Sequence, residues 1–421
     1  MADRYAEEIV NPGDRASAFA HQMGVESFGN SSAIHVIPHQ PGNFRGPVGF
    51  TWRKHVLEQM LKNGVHNDTA SDDEWTMLEA VENDGAGGKP QFFTLVGTPD
   101  VFSGLGWEII TMCADDFARS GRFPVVIDNE VNVRGITDEN FHLFEAMMSG
   151  YGEALKQARL VNVTGEVAIM QHSVTAFCDT GSAEQLVLTW GASCVGLAHK
   201  DRLIDPSRIR PGMPIVGFKD PGYRCNGGTF FTNLILELCR DRGMTDMRLI
   251  AKDVEAIETA RRLCVPSKSY AGLVSRLVGW NPDASLTTPL AEIYGIAHIT
   301  GGGVWGKFGE LLPEGVGANL DNMPNPAQIL LKAQRSASYT SNPLSDLNAY
   351  GTLHGGCGML LVCNPDSVGT IVSAAATAGV SAQRVGETMA SVEGEIVIDS
   401  LFNEGCERHG GLRLSSLELE G

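Results

Sequence analysis

Apolar residues recur at helical spacing over 53–62 and again over 107–119, which predicts two amphipathic helices, the second ended by Ser120, Gly121 and Pro124. The short apolar run 91–96 reads as a strand, as does PVVIDNEV, and the pattern continues with a helix over 140–158 and a strand over 159–163. Further along, helical spacing returns over 231–241, 253–263 and 367–378. Helices and strands therefore alternate through both halves, the mark of an α/β or α+β chain. Between the halves, HKDRLIDPSRIRPGMPIVGF passes from charged turn residues into a fresh apolar strand, and a domain boundary is placed there. The expected organisation is an extended N-terminal arm at 1–30, a first domain at 31–205 and a second at 206–421. Within the first, the Pro/Gly-rich stretch 38–49 and the polar NDGAGGK at 83–89 have loop composition.

Composition narrows the function. At 421 residues with 43% hydrophobic side chains, the chain is long enough for two full cores. Its 32 basic and 50 acidic residues leave a net charge of -18, which repels polyanions and argues against a nucleic-acid partner. A small phosphorylated ligand stays compatible, because backbone N–H groups or bound magnesium supply positive field locally. Nine cysteines without a CxxC pair suit reduced thiols, and the acidic, polar first residues are unlike a secretory signal. With no apolar stretch of about 18 residues, a cytoplasmic protein away from membranes is expected.

Candidate chemistry gathers at glycine-bordered turns. In AHITGGGVWGKFGELLPEGVGANLD an apolar strand runs through Thr300 into Gly301, Gly302 and Gly303 and then a helix. Glycine permits close backbone approach and a helix start offers free N–H groups, so the turn suits a phosphate; a plain strand-to-helix turn fits the same residues. Gly301, Gly306 and Lys307 have Walker A spacing, but Phe308 stands where a hydroxyl must hold magnesium, which excludes a P-loop. Asp100, Asp115, Asp116, Asp128 and Glu166 form an acidic set able to converge on a hard cation, although any one alone is more often a capping or solvated side chain. In DPGYRCNGGTF and YGTLHGGCGMLLVC, the polar side chains Arg224, Asn226 and His354 could face a substrate, with a backbone-satisfied turn histidine the other reading of His354.

Taken in order, GWEIITMCADDFARSGRFPVVID, VTGEVAIM, the interdomain passage, PGYRCNGGTFFTNL, HITGGG and GTLHGGCGMLLV resemble motifs of the aminoimidazole ribonucleotide synthetase family. That resemblance implies two α/β domains, the first joining its twin in a homodimer to form a shared β-barrel. It implies ATP and magnesium, with Gly97, Thr98, Asp100, Asp115, Asp116 and Thr300 to Gly303 on the nucleotide, and Asp116, Asp128 and Glu166 on the metal. Arg224, Asn226 and His354 would be catalytic. The implied reaction activates the formyl oxygen of formylglycinamidine ribonucleotide with the γ-phosphate, after which an amidine nitrogen closes the imidazole ring; phosphorylation of another small molecule, or a non-catalytic binding role, are the alternatives. The family's glycine loop, with its Asp and Lys, is matched to GTPDVFSG, which lacks the lysine, and Ile169 stands where a second glutamate is expected.

Overall fold

The computed structural model describes residues 11–37, 47, 49–62, 76–341, 343–402 and 409–414. Its strands form three sheets: a two-stranded ribbon of β1 (Ile34–Ile37) and β2 (Gly49–Trp52), a four-stranded sheet and a seven-stranded sheet. The four-stranded sheet has the order β3-β6-β4-β5, from Met77–Gly85, Leu188–His199, Phe123–Val133 and Val161–Ile169. Only β4 and β5 run parallel in it. The helices Pro99–Ala118 and Phe141–Ala158 pack on one another and cover one face. On the other face Val81, Asn83, Glu130, Thr164, Glu166 and Thr189 are exposed.

The seven-stranded sheet begins with β7 (Pro214–Lys219), beyond the last strand of the first sheet. Its strands β10 (Cys357–Cys363) and β8 (Ile293–His298) are buried along their whole length, which explains their continuous apolar runs. The alternation read from the sequence is thus an α+β arrangement of mixed sheets.

Two expectations are corrected. The supposed extended arm is helical over Pro12–Glu26. The Asn11 side chain accepts from the Gly13 N–H, Pro12 occupies the first helical turn, and the helix lies on β5. The run expected as a strand at 91–96 is the helix Pro90–Val96, with Phe92, Phe93, Leu95 and Val96 all buried. An apolar run that short carries no period to separate helix from strand, and Pro90 decides for helix. Most of the loop expected at 38–49 lies outside the described residues. Among the described residues eight cysteines are buried and unpaired.

Candidate functional site

A cavity of about 350 Å³ opens between the two sheets, lined by Asp84, Gly85, Gly87, Met112, Asp116, Cys225, Asn226, Thr300, Gly301 and Lys307. Four segments far apart in the chain meet here. Asp84 ends β3 and accepts the Gly85 N–H at 2.7 Å, and Asp116 comes from the last turn of the helix Pro99–Ala118. Asn226 sits in the loop before the helix Gly228–Asp241. Thr300 and Gly301 lie in the turn after β8, closed by the Gly303 N–H donating to the Thr300 carbonyl at 3.0 Å.

Electrostatics set the two carboxylates apart. Burial raises the Asp84 pKa above the ordinary carboxylate value, and the neighbouring charge of Asp116 adds to the rise. For Asp116 burial also opposes ionisation, but the His298 hydrogen bond, with the charges of Arg119 and Lys307, outweighs it and holds the carboxyl below its usual value. His298 Nδ1 lies 2.9 Å from Asp116, and its Nε2 lies 2.6 Å from Arg224 Nη2. A guanidinium can only donate, so Nε2 carries the lone pair and Nδ1–H donates to Asp116. Beside them, burial pushes the Cys113 thiol up to about 12, so it is not a nucleophile at neutral pH.

The expected site residues divide. Asp116, Asn226, Thr300 and Gly301 meet in the cavity; Gly302 and Gly303 complete its turn at φ 87° and 60°. The helix that follows, Gly303–Phe308, has only six residues, so its dipole contributes little to anion binding. Gly97 instead caps the C-terminus of Pro90–Val96 in the left-handed region, and Thr98 is the N-cap of Pro99–Ala118. Asp100 pairs with Arg261 on the surface at 2.9 Å. Sixteen residues of helix put Asp100 about 24 Å from Asp116, so this trio is removed from the nucleotide set.

Asp115 does not face the cavity either. It is fully buried, accepts the Tyr270 and Ala271 N–H groups at 2.8 and 2.7 Å, and pairs with Arg224 at 3.1 Å. Arg224, expected to be catalytic, is itself buried and held by Asp220 at 2.6 Å and the Lys268 carbonyl at 3.1 Å as well. Removing one partner from such a buried network costs on the order of 3–5 kcal/mol, which identifies Arg224 as a tie between the halves of the chain. His354 follows the plainer of its two readings: Nε2–H donates to the Gly222 carbonyl at 2.8 Å and Nδ1 accepts from Gly356.

The expected metal set is dispersed as well. Asp128 accepts the Ser193 N–H at 2.8 Å, and Glu166 lines a separate cavity of about 510 Å³ beside the helix Pro12–Glu26. Among the described residues no cluster of three or more His, Cys, Asp or Glu side chains is poised to hold a metal.

Three residues escaped the sequence reading. Asp84 and Lys89 belong to NDGAGGK, which begins in the last residues of β3 and leads into a helix; unlike GTPDVFSG, it contains both an Asp and a Lys. The signal was available as a strand ending in Asp-Gly, the counterpart of the strand ending in Thr-Gly-Gly-Gly. Lys89, however, is fully buried and bonds Glu108 at 2.7 Å and the Val265 carbonyl at 2.8 Å, so its charge does not reach the cavity. His298 was inside HITGGG, but nothing in its spacing told that it would bridge Asp116 and Arg224.

A family profile described as AIR synthase related protein, C-terminal domain, matches residues 283–399. Phosphoribosylformylglycinamidine cyclo-ligase of Sorangium cellulosum is 25% identical over 310 residues, covering 73% of this chain and 79% of that protein. The cyclo-ligase of Symbiobacterium thermophilum is 24% identical over 311 residues, covering 74% and 79%. Among solved structures, hydrogenase maturation protein HypE in complex with ATP aligns at a TM-score of 0.51 with 15% identity, covering 86% of this chain and 94% of that one. The chain thus has an AIR-synthase-like fold and a distant, family-level similarity to the cyclo-ligases.

Proposed function

We propose that this protein is an ATP-using enzyme of the cyclo-ligase superfamily, with the cavity between Asp84, Asp116 and Thr300–Gly301 holding the phosphates of the nucleotide. The observation that carries this reading is the meeting of two carboxylates, two glycine turns and Lys307 in one cavity. Magnesium fits the donors: it binds through one or two carboxylates while keeping waters and phosphate oxygens, and Asp84 and Asp116 are near enough for each to feel the other's charge. When bound, the metal neutralises phosphate charge. The chain's own residues position the reactants. Asp116 is kept ionised and oriented by His298, Gly301 leaves room for a phosphate oxygen, and Lys307 and the Asn226 amide donate to it. Phosphoryl transfer asks little more of a protein than such placement and charge neutralisation.

The substrate proposed is formylglycinamidine ribonucleotide, closed to aminoimidazole ribonucleotide, in line with the names of the relatives at 24–25% identity. A second reading, phosphorylation of a different small molecule, is favoured by one observation: Arg224 and His354, where substrate contacts were expected, are spent inside the fold. A coupled assay for ADP separates the two. Release dependent on formylglycinamidine ribonucleotide supports the first, whereas release only with other acceptors supports the second. We also propose that two copies pair through the uncovered face of the four-stranded sheet, where Val81 is 63% exposed.

A further inference from the structure

A third cavity, of about 440 Å³, shares no residue with the two already described. Its apolar wall is the stacked pair Phe123 and Trp280, with centroids 5.3 Å apart and planes 27° from parallel. The indole is held in place, since Trp280 Nε1–H donates to the Gly121 carbonyl at 2.9 Å. Arg159 and Arg276 stand exposed at the rim, and neither has an ion-pair partner among the described residues, in a chain of net charge -18. Both lie at helix C-termini, where a cation offsets the dipole. That role alone does not explain why the two converge on one aromatic-walled cavity.

Arg159 adds a second observation. It adopts φ 58°, a left-handed conformation in which glycine or asparagine is the ordinary cap. An arginine kept there at a conformational cost points to a task for its side chain. Deeper in the wall, the Ser275 hydroxyl is buried and has no hydrogen-bond partner. On the same helix a Cβ at Gly272 would meet no atom within 4 Å, so space is left open along this wall.

We propose that this cavity binds a small aromatic anion, its planar ring against the Phe123–Trp280 wall and its phosphate or carboxylate between Arg159 and Arg276. The volume lies in the range of small-molecule sites, which run from about 300 to 1,000 Å³, and pairing an apolar wall with a few fixed polar groups is how such sites orient a ligand. Guanidinium donors suit planar, bidentate recognition of either anion.

The test is calorimetric titration of the full chain with AMP, alongside adenosine and ribose 5-phosphate, which each carry half of the proposed chemistry. AMP is expected to bind at least about tenfold more tightly than either half, as charge-assisted hydrogen bonds and ring burial both contribute. Arg276→Gln and Arg159→Gly should each weaken AMP by about tenfold or more. Arg159→Gly relieves the strained cap, so it should fold at least as well as the parent. Gly272→Leu, which fills the open wall, should abolish binding, and Asp100→Asn, a surface change outside both cavities, should leave it unchanged. Absence of AMP binding, equal affinity for adenosine, or binding that survives Gly272→Leu overturns the proposal.

Discussion

Asp84 and Asp116 show how one residue type takes two protonation habits within one cavity. Among the described residues no cationic side chain is hydrogen-bonded to Asp84, and burial lifts its pKa from the ordinary 3.8, whereas Asp116 is drawn below it by His298, Arg119 and Lys307. The sign of the consequence follows by linkage. A carboxyl that binds its proton more tightly in the fold lends most stability below about pH 3.8 and loses that contribution as pH rises through its raised native value. A divalent cation competes with that proton. The stabilisation given by magnesium should therefore grow as pH climbs from about 4 through the native pKa of Asp84 and then level off, and in Asp84→Asn the residual effect should lose this rise. Melting temperatures across that range, with and without magnesium, measure it; equal pH dependence in parent and variant would rule it out. At this scale the sequence told residue type but not company. Asp115 and Asp116 are adjacent letters, yet one caps the helix Ala271–Leu277 from within the core and the other lines the cavity.

Local patterning made most elements legible wherever it ran long enough. The helix Phe141–Ala158 was recovered to within a residue, whereas Pro99–Ala118 was read eight residues short because its first turns, PDVFSGLG, carry two glycines and a proline. Those glycines are packing devices: a Cβ at Gly104 or Gly106 would crowd Pro266 or the backbone at Tyr151. The turn after β8 separates structural from functional glycine in the same way. At Gly303, φ is 60° and a Cβ would overlap the Tyr350 carbonyl oxygen. At Gly301 a Cβ would stand 3.1 Å from Asn226 Oδ1, at the edge of the cavity. Gly303→Ala should therefore cost stability of about 1–3 kcal/mol in urea unfolding. Gly301→Ala should fold nearly as the parent while weakening nucleotide binding several-fold. If both variants fold normally and bind normally, the turn has been given the wrong task.

The halves of the molecule are sewn together by the buried pair of Arg224 with Asp115, and by the Lys89–Glu108 pair of the first half, which reaches across to the Val265 carbonyl and Ser267; each pair is fully or almost fully removed from solvent. These ties were invisible in the chain because their members lie 109 and 19 residues apart, and no periodic signal marks a contact between domains. The proposed division at 31–205 and 206–421 runs through the first of them. Outside these ties, the bare face of the four-stranded sheet is the surface where association is expected. Val81→Glu, placing a charge on that face, should convert a dimer to a monomer in sedimentation without unfolding it, as a charge cannot be buried there unpaired. A parent that sediments as a monomer at all concentrations would contradict the proposed pairing.

Binding of ATP in the glycine-lined cavity is the claim on which the functional account rests, and a thermal-shift titration with ATP and magnesium tests it most directly. Ligand at about 100 times its dissociation constant should stabilise the parent by about 2.7 kcal/mol, with the shift lost in Asp116→Asn and kept in Asp100→Asn, whose carboxylate lies at the far end of the same helix. No shift in the parent, or a shift that Asp100→Asn removes and Asp116→Asn does not, would contradict the account.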